Sequence, residues 1–249
     1  MSNSLKILPV KELPKPKPKR KINPILPELP AMGIQCGGVK QGKSNFGLNW
    51  WFSDKFFGGY FPINYMISPT LHADEKNRFF KKDDDWVTFD DYDDAIIQGI
   101  IKSQMSFPDE ERPSVSLYAD DVIGHIPQRN KVFYSFLTKF RHFSVDLILM
   151  NTQSFKAIPK IARTNATFFI LRRYNNMKEL ESMEEEFADA FGGKELFRKN
   201  YLKYTKEQFS FIYLRMDKQP PEMWASFEKK IYPLKGDSMD PDSDDEKEN

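Results

Sequence analysis

Three observations predict an α/β fold with a mostly parallel central sheet flanked by helices. Short apolar runs alternate with helically periodic segments, as βαβ units require. The first run leads through a glycine-rich loop straight into the first helix, and two later runs end in clustered acidic or polar residues.

In chain order, Met32 to Cys36 is the first strand, Tyr65 to Ser68 the second, and Val87 to Phe89 a short edge strand. Val115 to Ala119, Val145 to Met150 and Ala166 to Leu171 are β-branched or aliphatic runs of the length expected for buried strands. Ser210 to Met216 is a seventh candidate. Helices are expected over Lys43 to Trp51, Tyr92 to Lys102, Asn130 to Phe140 and Met177 to Phe191, each with apolar residues at three- and four-residue spacing. No internal repeat is visible.

The 249 residues suit one α/β domain with flanking extensions, and 40% hydrophobic residues can bury a sizeable core. The domain is expected over 31–236. Residues 1–30 carry Lys-Pro-Lys-Pro-Lys-Arg-Lys from Lys15 to Lys21, then Pro24, Pro27 and Pro30, a composition favouring extended chain that packs little. Such a stretch reads as a solvated linker, a nucleic-acid-touching arm or a nuclear import signal. Residues 237–249 are nearly all acidic or polar and are expected to be a disordered tail. The net charge of +1 therefore averages two opposite ends. A single cysteine, Cys36, excludes an internal disulfide framework, and the absence of an apolar run of membrane-spanning or signal-peptide length predicts a soluble intracellular protein. His72, His125 and His142 show no metal-ligand spacing.

The chemistry begins at Gly37-Gly38-Val39-Lys40-Gln41-Gly42-Lys43-Ser44, a Walker A pattern. Its glycines let backbone N–H groups wrap around phosphates, and the following helix adds its positive N-terminal end. Lys43 is expected to reach the β and γ phosphates of ATP, and Ser44 to place its hydroxyl on Mg²⁺. The bare pattern arises by chance in roughly one chain in a hundred of this length, and the strand before it and helix after it lower that further. A second strand ending in carboxylate is needed to hold Mg²⁺, and Val115-Ser116-Leu117-Tyr118-Ala119-Asp120-Asp121 supplies one. Asp120 is assigned to the Mg²⁺ shell and Asp121 to orienting or deprotonating the attacking water. Asp83 to Asp85 and the acids from Asp90 to Asp94 lack an apolar strand in front and read as surface turns and a helix start. The strand Val145 to Met150 ends in Asn151-Thr152-Gln153. Carboxyl ends of parallel strands face the ligand, so Gln153 is expected to sense the γ-phosphate or catalytic water.

Arg141 and His142 stand at the opposite end of that strand, on the order of 20 Å away. A catalytic role for Arg141 would then be in trans, as an arginine finger in a ring oligomer, with Arg163 the alternative; Arg172 and Arg173 follow their strand and could act in cis. Trp50, Trp51 and Cys36 read as packing residues.

Gly37 to Ser44, Leu117 to Asp121, Arg141-His142 before a strand ending in Asn151-Thr152-Gln153, and Arg163-Thr164-Asn165 before Ala166 to Phe169 together resemble the FtsK/HerA superfamily. Within it, the compact size and paired acids resemble the poxvirus-type genome-packaging ATPases of large DNA viruses and virophages. The resemblance covers roughly residues 30 to 215. It implies a RecA-like P-loop NTPase core, a homo-oligomeric ring, and ATP-driven translocation of double-stranded DNA into a preformed capsid. Viral capsid proteins become partners, and the host cytoplasm, viral factory or virion the place of action. Asp121 stands where many members have glutamate, which shortens the reach of the base. A nucleotide kinase, or a nucleotide-gated scaffold binding through its charged ends, is the competing reading. The extra strand ending in Gln153 argues against the kinase, and the intact lysine, serine and acids against the scaffold.

Overall fold

The computed structural model describes residues 21–234. Nine strands form one sheet: β1 (Ala31–Cys36), β2 (Ile63–Ile67), β3 (Trp86–Phe89), β4 (Val115–Asp120), β5 (Val145–Thr152), β6 (Phe168–Arg172), β7 (Phe211–Arg215), β8 (Glu222–Ala225) and β9 (Lys229–Tyr232). Their order is β3-β2-β4-β5-β1-β6-β7-β8-β9. The six strands from β3 to β6 run parallel, and β7, β8 and β9 continue the sheet antiparallel. The expected α/β class with a mostly parallel sheet is observed, with β3 on the edge.

Helices α1 (Lys43–Phe52), α2 (Arg78–Lys82), α3 (Asp94–Met105), α4 (Lys131–Lys139), α5 (Lys160–Asn165), α6 (Met177–Phe187) and α7 (Lys194–Tyr204) cover the two faces. One face packs on α3, α4, α6 and α7 through Ile97, Phe133, Phe136, Met183, Phe187 and Phe197. The other packs on α1 and α2 through Phe46, Trp50, Trp51 and Phe80. Because side chains alternate along a strand, Met32, Ile34 and Cys36 enter the first layer, whereas Ala31 lies in the second, on the α1 face. Trp50 and Trp51 are core residues, and burial pushes the Cys36 thiol up to about 12.

Local chemistry explains where elements start. Asp93 caps α3 by accepting from the Ala95 N–H at 2.7 Å, so α3 begins two residues later than the apolar spacing suggests. Asn130 caps α4 through the Phe133 N–H at 2.8 Å. The expected long helix after Met177 tightens into a 3₁₀ turn at Ala188–Phe191 before Gly192.

One boundary differs from the sequence reading. Residues 22–30 pack: Leu26 is 2% exposed within the α1-face layer, the Arg215 guanidinium donates to the Pro24 carbonyl at 2.9 Å, and Lys218 pairs with Glu28. The prolines favour a solvated chain, but Leu26 is buried and Ile22, Ile25 and Leu29 pack partly buried against the α1-face layer, giving this stretch an apolar side. The basic run up to Arg20 and the acidic tail lie outside the described residues. Among the described residues, no helix is long and apolar enough to cross a membrane.

Candidate functional site

The glycine-rich loop joins β1 to α1 at the carboxyl edge of the parallel strands, and Gly42 closes it as the cap of α1 at φ 84°. That left-handed conformation favours glycine. Lys40 also has positive φ, at 61°. Such alternation turns successive N–H groups into a concave anion nest, to which the first turn of α1 adds its dipole. The acceptors for Lys43 Nζ are the Gly37 and Gly38 carbonyls, at 2.8 and 3.1 Å. Lys43 is 9% exposed, and burial holds its pKa below the usual lysine value, opposed by the charges of Asp121 and Asp120.

The strand order sets the rest. β5 lies between β1 and β4, so the ends of three neighbouring strands meet beside the loop. Asp120 pairs in register with Asn151, and Asn151 with Gln35 of β1. Asp120 is 5% exposed and accepts at Oδ1 from Asn151 Nδ2 at 3.0 Å and from the Tyr118 hydroxyl at 3.3 Å. Burial lifts its carboxyl to about 6 against these hydrogen bonds, with the neighbouring Asp121 charge adding to the rise. Asp121 adopts φ 52°, which aspartate tolerates better than most residues, and its N–H donates to the Asn151 carbonyl at 3.1 Å. Gln153 Nε2 donates to Asp121 Oδ2 at 3.0 Å. Asp121 and Gln153 are therefore in contact, across the ends of β4 and β5.

Ser44, Asp120 and Asp121 line an open cleft of about 490 Å³ together with Thr70, Asp74, Glu75 and Lys76. These four follow β2 and were not anticipated. Their only sequence signal is that they succeed a parallel strand, at the edge where ligands bind.

Beneath the loop runs a buried polar chain that sequence reasoning also missed. With the Gln35 amide assigned from its neighbours, its nitrogen donates to Asn151 Oδ1 at 2.8 Å, and its oxygen accepts from Arg172 Nε and Nη2 at 2.8 and 3.1 Å. Arg172, Gln35, Asn151 and Asp120 come from β6, β1, β5 and β4 in spatial order, and all four point to the α1 face. Arg172 is 2% exposed, lies over the rings of Phe46 and Phe211, and donates through Nη1 to the Phe209 carbonyl at 2.8 Å. Its burial lowers the guanidinium to about 10.

The other arginines diverge. Arg141 is exposed in the 3₁₀ turn Phe140–Phe143 at the amino end of β5, its guanidinium over its own Phe140 ring. Arg163, on α5, lies over Phe155 with Nε 2.9 Å from Glu186 Oε2, close enough to attract but out of line for a hydrogen bond. Neither joins the cleft.

Among the described residues, no cluster of three or more His, Cys, Asp or Glu side chains is arranged to hold a metal by itself. A hydroxyl at Ser44 and one buried carboxylate at Asp120 instead form a partial donor set, the kind Mg²⁺ uses when phosphate and water oxygens complete its shell.

No protein-family model matches the sequence, and no curated protein is detectably similar to it. Solved structures do match. The genome packaging NTPase B204 from Sulfolobus turreted icosahedral virus 2, in complex with ATP-gammaS, superposes with a TM-score of 0.58 at 17% identity over 79% of this chain and 98% of that one. B204, the DNA-packaging ATPase from Sulfolobus turreted icosahedral virus, gives 0.57 at 14% identity over 79% and 98%. The cytoplasmic domain of the Thermomonospora curvata Type VII secretion ATPase EccC gives 0.50 at 11% identity, over 79% of this chain and 25% of that one. The likeness is one of fold: this chain has the architecture of these P-loop ATPases, the core that its motifs imply.

Proposed function

We propose that the protein is an ATPase of the FtsK/HerA type that moves double-stranded DNA, packaging a viral genome into a preformed capsid. The observation carrying this reading is the insertion of β5 between the phosphate-loop strand and the acid-bearing strand, with Gln153 hydrogen-bonded to Asp121. A hydrolase needs a water held between a base and a polar orienting group, and this pair supplies both. The shared architecture of the packaging NTPases supports the assignment to DNA.

The loop from Gly37 to Ser44 would bind the phosphates of ATP through Gly38, Val39, Lys40, Gln41 and Gly42 backbone N–H groups. Lys43 would exchange its two loop carbonyls for β- and γ-phosphate oxygens, a trade favoured because a buried ammonium gains more from an anion than from neutral dipoles. Ser44 and Asp120 would hold Mg²⁺. When bound, the ion neutralises phosphate charge. Asp120 Oδ1 is occupied by Asn151 and Tyr118, which leaves Oδ2 for the metal side. Asp121 accepts the proton of the attacking water, and Gln153 orients that water.

Arg141 completes the site of a neighbouring subunit in a homo-oligomeric ring. Its exposure at the edge opposite its own cleft suits that role better than Arg163, which is occupied by Glu186. DNA is held mainly by its phosphates, without sequence preference. ATP hydrolysis measured with and without linear duplex DNA tests the reading. Stimulation by duplex, and none by nucleoside monophosphate acceptors, is expected; phosphoryl transfer to an acceptor would replace this reading by a kinase.

A further inference from the structure

The turn preceding β7, residues 205–210, holds an aromatic ring where folding alone gives no reason for one. Because β7 is antiparallel to β6, this turn lies at the carboxyl edge of the parallel strands, beside the glycine loop. Phe209 is 54% exposed and sits at φ 67°, a left-handed backbone that a bulky side chain rarely adopts. Its ring abuts the loop: a Cβ added to Gly42 would lie 2.9 Å from Phe209 Cδ1.

The conformation is held from both sides. The Phe209 carbonyl accepts from Arg172, which is itself anchored by Gln35. The Ser210 N–H and hydroxyl both return to the Glu207 carbonyl, at 3.2 and 2.6 Å. An exposed phenylalanine alone carries no message. Backbone strain maintained by a buried arginine, with the result that an apolar ring stands in water against a phosphate loop, does.

The direction of the nucleotide follows from the acids. Asp120, Asp121 and Gln153 lie on the β4 and β5 side of the loop, so the terminal phosphate faces that side. The nucleoside must leave the loop on the other side, towards β6 and β7, where Phe209 stands. We infer that Phe209 is the platform on which the base of the bound nucleotide stacks, with Arg172 as the residue that positions it. The inference rests on the reading of the loop as an ATP site. Stacking accepts the π-face of any base, so Phe209 supplies affinity shared by adenine and guanine.

Affinities for ATPγS, GTPγS and inorganic tripolyphosphate, measured by calorimetry with Mg²⁺, test it. Phe209→Ala is expected to weaken both nucleotides about tenfold while leaving tripolyphosphate unchanged. Phe209→Trp is expected to keep nucleotide affinity and to show fluorescence quenching with ATPγS, absent with tripolyphosphate. Phe209→Gly relieves the positive φ and so is expected to fold at least as well as wild type, with the same weakened nucleotide binding as Phe209→Ala. Unchanged nucleotide affinity in Phe209→Ala overturns the inference, as does an equal loss of tripolyphosphate, which would mean that the ring merely shapes the loop. A change confined to oligomeric state would assign the ring to a subunit contact and also overturn it. Wild-type protein that binds neither nucleotide nor tripolyphosphate would instead bring down the ATP-site reading, and this inference with it.

Discussion

Replacing the buried acid by its amide should stabilise the nucleotide-free protein while disabling it. Burial lifts the Asp120 carboxyl from its ordinary 3.8 to about 6. At about 1.4 kcal/mol per pH unit, its ionisation costs the folded state about 3 kcal/mol at pH 8. Asp120→Asn keeps an acceptor for Asn151 and Tyr118 but removes the charge. In a chain of this size each kcal/mol moves the melting temperature by about 2–4 °C, so the variant should melt about 6–12 °C higher at pH 8 in EDTA. The sign follows from linkage. The folded protein holds this proton more tightly than the unfolded chain, so the wild type recovers the cost as pH falls through 6 towards 4. The advantage of the variant shrinks across that window and disappears below about 4. Mg²⁺ with ATPγS at a hundred times its dissociation constant should return about 2.7 kcal/mol to the wild type alone, closing most of the gap at pH 8. Thermal melts followed by circular dichroism from pH 4 to 8.5 measure all of this. A variant that melts below wild type at pH 8, or whose advantage is the same at every pH, would refute the account of Asp120.

Other perturbations probe the surrounding structure. A Cβ at Gly47 would lie 2.5 Å from the Tyr118 hydroxyl, which Asn151 and Asp120 pin in place; Gly47→Ala should therefore cost about 1–2 kcal/mol net of its better helix propensity and lower the melting temperature by several degrees. Cys36 is fully buried with its thiol raised to about 12, so iodoacetamide at pH 8 should leave it unmodified in the native protein and alkylate it in denaturant, as mass spectrometry would record. Arg141→Ala subunits mixed with Lys43→Ala subunits should regain part of the ATPase activity that each lacks alone, whereas no recovery in assembled mixtures would remove Arg141 from the trans role.

Legibility in the sequence followed the strength of local constraint. The positions of the glycine loop, Asp120, Asp121 and Gln153 were legible because each lies at the end of an apolar strand, and such ends are marked by composition. Gln35 could not, since its meaning depends on β1 lying between β5 and β6, and strand order is not written in chain order. Arg172 looked like one of several cationic candidates, and only its burial without a carboxylate distinguishes it. Helix α7 was missed because Phe197 and Tyr201 are its only buried residues, too sparse a stripe among lysines and glutamates. Strands β8 and β9 are four residues each and half-exposed, below what alternation can signal. The packing of residues 22–30 was hidden by their prolines, although the apolar side formed by Ile22, Ile25, Leu26 and Leu29 was there to be found.

The central claim, that ATP turnover at this loop moves the protein along duplex DNA, is tested most directly by displacement of a triplex-forming oligonucleotide from linear duplex. Wild-type protein should release the third strand only with hydrolysable ATP and Mg²⁺, and Lys43→Ala should release none. ATP hydrolysis that proceeds without any displacement, or displacement equal with the non-hydrolysable analogue, would contradict it.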